Sequence, residues 1–256
     1  MMKDFLQLEG RHFLVTGAGS GIGKQTAVSL SEYGAKVSLV DLNQEGLDKT
    51  LSLLSGTGHK AYRMDLSQIE MIENQIKEII EQQGPLDGYV QCAGITMTLP
   101  LNTLKYDKLD FLMKVNFYSF FEIVRVLSRK GRYHPGMSIV GVSSTAAECG
   151  VPAQASYSAS KAAMNGAMRS MARELGPKGI RLNTVLPGPT RTEMYLSFLE
   201  TKADTKETDS GNGYKLNYLG DNEPVDVANA ILFLLSPVSR QVTGVMFPVD
   251  AGYVSC

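Results

Sequence analysis

The chain has 256 residues, which suit one compact α/β domain or two small ones; one large core is expected, and it needs no disulfide or metal staples. Lysine plus arginine number 25 against 26 for aspartate plus glutamate, a net charge of -1 that excludes a general binder of nucleic acid or of an anionic membrane surface. Hydrophobic residues at 43%, charged residues at 20% and 25 glycines exclude a disordered or fibrous chain. Cys92, Cys149 and Cys256 are scattered, with no Cys-x-x-Cys pair, so neither a disulfide framework nor a zinc site is read and a reducing cytoplasm is expected. The opening residues Met1 to Gly10 carry Asp4 and Glu9 with no apolar h-region, and Ala230 to Leu235 falls far short of a bilayer span. No export or membrane signal is expected.

Short apolar runs alternate with longer segments of helical period, the pattern of βαβ units. The predicted strands are His12 to Thr16, Lys36 to Val40, Ala61 to Met64, Gly88 to Gln91, Met137 to Val142, Arg181 to Leu186 and Val245 to Val249. Continuous runs such as Phe13-Leu14-Val15 indicate strands covered on both faces. After the first strand, Lys24 to Glu32 is fit to be a helix. Ser67-x-x-Glu70 reads as a capping box ahead of Ile69, Ile72, Ile76 and Ile79, and Gly84-Pro85 stops that helix. A late helix is predicted to start at Pro224 and end before Pro237. Right-handed crossovers then give a single α/β domain over residues 1–256, a doubly wound, seven-stranded, mostly parallel sheet that binds its ligand beyond the carboxyl ends of its strands. A lid is expected at about 193–222: Lys202 to Gly213 is polar and flanked by Tyr195, Phe198, Tyr214 and Tyr218. These rings either cover a ligand or dock the loop on the core.

Between the first strand and its helix runs Thr16-Gly17-Ala18-Gly19-Ser20-Gly21-Ile22-Gly23. It fails the strict G-x-G-x-x-G test, yet its glycines allow a tight turn and let a pyrophosphate approach backbone N–H groups at a helix N-terminus. Asp41 follows Gly23 by 18 residues, at the end of the second strand. It either accepts hydrogen bonds from the adenosine ribose, which favours NAD(H) over NADP(H), or caps the helix beginning near Asn43.

The chain resembles the short-chain dehydrogenase/reductase family, in its compact branch of about 250 residues. The motifs that carry the resemblance are Thr16 to Gly23, Asp65-Leu66, Ala93-Gly94, Asn116, Ser143-Ser144, Tyr157-Ser-Ala-Ser-Lys161, Pro187-Gly188 with Thr192, Val242-Thr243-Gly244 and Asp250-Ala251-Gly252. The resemblance implies a Rossmann fold and a cofactor site of Gly17, Ser20, Gly21, Ile22, Gly23, Asp41 and Leu42. It places Asp65 and Leu66 along the adenine and Ala93 and Gly94 beside the ribose, with Pro187, Gly188, Thr190 and Thr192 at the nicotinamide carboxamide. It also implies a homotetramer with the Tyr157 helix and the last strand between subunits. Gln91-Cys92 departs from the family's frequent Asn-Asn; altered sheet hydrogen bonding and a buried, inert Cys92 are expected there.

Tyr157 and Lys161, four residues apart, share one helix face, and the ammonium together with a positively charged nicotinamide is expected to lower the phenol's pKa. Ser144, 13 residues before Tyr157, follows the strand ending at Val142, where its hydroxyl can orient a substrate oxygen. By resemblance, Asn116 bends its helix and completes a proton relay. The expected function is NAD-dependent interconversion of a secondary alcohol and a ketone, with Tyr157 as general acid/base. Two other readings are an NADPH-dependent reductase of 3-oxoacyl groups on an acyl carrier protein and a dinucleotide-sensing protein without turnover. His12, His59 and His134 show no pairing that supports a metal site or a serine–histidine triad.

Overall fold

The computed structural model describes residues 5–197 and 217–254. Seven strands form one sheet in the order β3-β2-β1-β4-β5-β6-β7: β1 (His12–Thr16), β2 (Lys36–Asp41), β3 (Lys60–Arg63), β4 (Leu86–Gln91), β5 (Tyr133–Val142), β6 (Arg181–Pro187) and β7 (Met246–Val249). Every strand pair is parallel. The order reverses between β1 and β4, and a crevice opens at that point beyond the strand ends.

Alternate side chains of each central strand serve different cores. Leu14 joins Ile72, Ile76, Phe120, Ile123, Met164 and Met168 on one face of the sheet. Phe13 and Val15 join Ala27, Leu30, Leu47, Val227 and Ile231 on the other. The first face is covered by α3 (Ile69–Gln83), α5 (Ser119–Leu127) and α7 (Ala155–Leu175). The second is covered by α1 (Gly21–Glu32), α2 (Gln44–Leu53) and α8 (Pro224–Leu235). Two shorter helices, α4 (Tyr106–Met113) and α6 (Ala146–Cys149), edge the crevice, and a π turn at Lys114–Tyr118 joins α4 to α5. Among the described residues no helix is long and apolar enough to cross a membrane.

Most predicted boundaries lie within two residues of those observed. β5 starts four residues earlier than predicted, because Tyr133-His134-Pro135-Gly136 is not an apolar run and its pairing with β4 shifts register between Leu86 and Gly88. The predicted capping box at Ser67 does not form. Ser67 donates its hydroxyl to Asp65 Oδ1 at 2.7 Å and its N–H to the same atom at 2.9 Å, and α3 begins at Ile69 with no side-chain cap. α8 does begin at Pro224, where the Glu223 N–H donates to Asp226 Oδ2 at 2.8 Å. Gln91 keeps its ladder register to both Thr16 and Gly141.

Ile76 is fully buried between α3 and the sheet, whereas Met71 on the same helix is 48% exposed. Ile76→Ala is expected to cost about 2–5 kcal/mol and to lower the thermal midpoint by roughly 5–10 °C, with Met71→Ala within about 0.5 kcal/mol of the parent. Thermal unfolding of the two variants side by side checks this.

Candidate active site

The crevice has a volume of about 750 Å³ and is lined by the glycine turn, the ends of β2 and β4 and the loops after β5 and β6. The turn is glycine by geometric need. A Cβ on Gly23 would lie 2.1 Å from the Gly17 carbonyl oxygen, and one on Gly17, at φ +65°, would lie 2.6 Å from the Ala93 nitrogen. α1 starts at Gly21 with Ser20 as its N-cap. Ser20 makes no side-chain cap bond, and the first turn holds no acidic residue. Its N–H groups and the positive end of the helix dipole are therefore available to a pyrophosphate. Lys24, one turn further on, ion-pairs with Glu193 at 3.7 Å across the crevice mouth.

Asp41 does not cap α2; Asn43 does, accepting from the Gly46 N–H at 3.2 Å. The Asp41 carboxylate instead accepts from the Gly19 N–H at 2.9 Å through Oδ2 and from the Asn43 N–H at 2.9 Å through Oδ1. Each oxygen keeps a further lone pair, enough for two ribose hydroxyls. The donor geometry and the glycine cradle fit a dinucleotide.

Deeper in the crevice, Tyr157 and Lys161 project from the first turns of α7. Lys161 is 3% exposed, its Nζ donates to the Val142 carbonyl at 2.7 Å and lies 5.8 Å from the centre of the Tyr157 ring. Burial pulls the amine down to about 8. The phenol moves the opposite way from the expectation. Burial raises it above its ordinary value, a hydrogen bond from Ser144 offsets part of that, and Lys161 spends its closest bond on Val142. Ser144 is steadied in turn by the Ala146 N–H, which donates to Oγ at 3.1 Å.

Asn116 does not line the crevice. It is fully buried in the π turn, where Oδ1 accepts from the Ile95 N–H at 2.8 Å and Nδ2 donates to the Ile95 carbonyl and to Ser160 Oγ, both at 3.0 Å. Ser160 donates to the Tyr157 carbonyl at 2.8 Å, which ties Asn116 to the tyrosine's own helix turn. A Cβ on Gly94 would lie 3.1 Å from Lys161 Nζ and 3.4 Å from Asn116 Oδ1, so both groups flank one spot in which a side chain would be tightly packed.

Every other predicted site residue lines the crevice: Gly17, Ser20 to Gly23, Asp41, Leu42, Asp65, Leu66, Ala93, Gly94, Ser144, Tyr157, Lys161, Pro187, Gly188, Thr190 and Thr192. The Asp65 carboxylate is partly occupied by Ser67, which holds it below its ordinary range. Cys92 also lines the crevice and is half-buried instead of buried as expected; desolvation pushes its thiol up to about 12, which makes it a poor nucleophile. Ser160, Ile95, Phe111, Val151 and Tyr253 were missing from the sequence reading. The first lies inside the Tyr157–Lys161 segment and the rest carry no local pattern. Of the predicted lid, Tyr195 lines the crevice and Tyr218 is 63% exposed, while 198–216, with Phe198, Tyr214 and the polar run Lys202 to Gly213, lie outside the described residues.

The family model described as enoyl-(acyl carrier protein) reductase matches residues 17–254. The 3-oxoacyl-(acyl-carrier-protein) reductase of Thermotoga maritima is 33% identical, over 97% of this chain and 100% of its own length. The 7alpha-hydroxysteroid dehydrogenase of Escherichia coli K12 is 30% identical over 98% and 97%. A solved 7α-hydroxysteroid dehydrogenase, in complex with NADH and 7-oxo glycochenodeoxycholic acid, superposes with a TM-score of 0.85 at 28% identity, covering 98% of this chain and 97% of that one. The chain belongs to the short-chain dehydrogenase/reductase family, oxidoreductases that act on CH–OH groups and the matching ketones.

Proposed function

We propose that this protein is an NAD(H)-dependent oxidoreductase in which Tyr157 exchanges a proton with the oxygen of a secondary alcohol or ketone. The observation that carries the reading is the meeting, in one crevice wall, of the Ser144 and Tyr157 hydroxyls with the buried Lys161 amine. The dinucleotide supplies or removes the hydride. Gly17 and Ser20 to Gly23 hold its pyrophosphate, Asp41 and Leu42 the adenosine ribose, and Asp65 and Leu66 the adenine. Ala93 and Gly94 pass beside the ribose, and Pro187, Gly188, Thr190 and Thr192 hold the carboxamide. Asp41 makes the choice of NAD(H), because its charge repels a 2′-phosphate.

Ser144 orients the substrate oxygen, and Tyr157, protonated at neutral pH, donates to it in the reductive direction. Oxidation needs the phenolate, which burial disfavours. Rates in the two directions therefore have opposite pH dependence: oxidation rises with pH toward the phenol's raised value, while reduction falls once the phenol begins to ionise. Lys161, held near 8, can gain and lose a proton close to neutrality, and Asn116 would hold a water that connects the amine to solvent. A second reading, a reductase of 3-oxoacyl groups on an acyl carrier protein, is favoured by the Thermotoga relative; it predicts NADPH as the better cofactor. We further propose a cytoplasmic homotetramer, in which the edge strand β7, with Phe247 37% exposed, is covered by a neighbouring subunit.

Three outcomes check the proposal. Tyr157→Phe is expected to lower turnover of secondary ketones about a thousandfold, with NADH affinity by fluorescence titration within about twofold of the parent. Turnover untouched by the substitution removes the mechanism, and tight NADH binding with no turnover by the parent favours a dinucleotide sensor. NADH is expected to bind at least about tenfold more tightly than NADPH, a gap that Asp41→Ser narrows. Equal affinities, or a preference for NADPH, defeat the role given to Asp41.

The third outcome concerns stability. Below about pH 8 Lys161 is protonated in both folded and unfolded chains, and the native state carries the cost of burying the ammonium. Between about 8 and the ordinary 10.5 the folded protein releases that proton first and gains stability. Lys161→Met is therefore expected to be more stable than the parent by about 2 kcal/mol at pH 7, with the difference closing as pH rises toward 10.5. Denaturant melts at several pH values measure the gap.

A further inference from the structure

Gln91, the first of the two residues that depart from the family pattern, is fully buried at the end of β4 and uses its whole hydrogen-bonding capacity. Its Oε1 accepts from Thr16 Oγ1 at 3.0 Å and from the Tyr89 hydroxyl. Its Nε2 donates to the Ala93 carbonyl at 3.1 Å and to Ser119 Oγ at 3.2 Å. Ser119, also fully buried, donates its hydroxyl hydrogen bond to the Val115 carbonyl at 2.6 Å. That bond falls on the π turn. In an α-helix the Ser119 N–H would bond Val115, four residues back, whereas here it bonds Lys114, five back. The Ser119 side chain thus meets the carbonyl that its own amide has passed over.

We infer that Gln91 and Ser119 are positioning residues for Asn116. A π register is sparingly populated, and a helix holds one only where the surrounding structure over-determines it. Here the sheet does so: Gln91 fixes the Ser119 hydroxyl, the hydroxyl fixes Val115, and the wide turn aims Asn116 at Ile95 and Ser160. The same Gln91 nitrogen holds Ala93, so one side chain ties together the two segments that meet at Gly94. The effect on turnover rests on the relay role given to Asn116 above; the effect on position does not.

The Ile95 N–H donates to Asn116 Oδ1, so its exchange with solvent deuterium, followed by NMR on the cofactor-free protein, reports where Asn116 sits. Ser119→Ala and Gln91→Met are each expected to speed Ile95 exchange about tenfold, while Val37 and Leu39 in β2 keep their parent rates. With NADH and a secondary ketone, Ser119→Ala is expected to lower kcat about tenfold and to leave the KM for NADH within about twofold. Unchanged Ile95 exchange in Ser119→Ala overturns the inference, and so does acceleration shared equally by β2, which marks general loosening. Faster Ile95 exchange with unaltered kcat supports the positioning role and counts against the relay.

Discussion

A primary amine has been carried into the crevice wall between β5 and α7, and the rest of the site is arranged around keeping it there. Lys161 is almost fully buried, and its Nζ takes the Val142 carbonyl at the end of β5, which fixes the α7 turn that also carries Tyr157. Ser143 closes the arrangement from the loop side by donating to the Lys161 carbonyl at 3.2 Å. Gly141 lets α7 lie close enough for this, since a Cβ there would sit 2.8 Å from the Met164 sulfur. Gly94 similarly leaves room for Nζ from the side of β4. A site that holds its cation this way gives up stability for function, as active sites commonly do.

The acid–base pair is set by environment more than by mutual attraction. Burial moves the phenol up and the amine down, so the two values move apart and the amine becomes the more acidic of the pair, without a strong direct contact. The sequence reading assigned Lys161 the larger influence because i, i+4 spacing places the two side chains on one face. Spacing does not reveal that Val142 competes for the ammonium, nor that burial acts on both groups. The consequence is a tyrosine ready to donate at neutral pH and reluctant to accept.

How much was legible follows the range of each interaction. β1, the glycine turn and Asp41 are local patterns with a steric or electrostatic cause, and all stand where expected. Ser67 was misread because a serine two residues after an aspartate can serve that carboxylate as readily as a helix end, and the sequence does not say which wins. The early start of β5 was hidden by Pro135 and Gly136, which read as a loop. Asn116 was found only through resemblance. Its π turn depends on Gln91, 25 positions away in the chain, and on Ser160, 44 away, contacts no local window contains.

In the role proposed for Asp41, cofactor choice and fold become one constraint. Its two oxygens already hold the Gly19 and Asn43 amides, so the carboxylate is in place before any ribose arrives. A preorganised acceptor spends no ordering entropy on binding. The same bonds tie the glycine turn to the start of α2, and a Cβ on Gly19 would come within 3.0 Å of that carboxylate. Removing the charge to admit a 2′-phosphate therefore leaves two backbone amides seeking acceptors at the point where the turn must stay tight. A change of cofactor here needs a replacement acceptor at position 41 as well as a cation for the phosphate. A short hydroxyl side chain can supply only part of that.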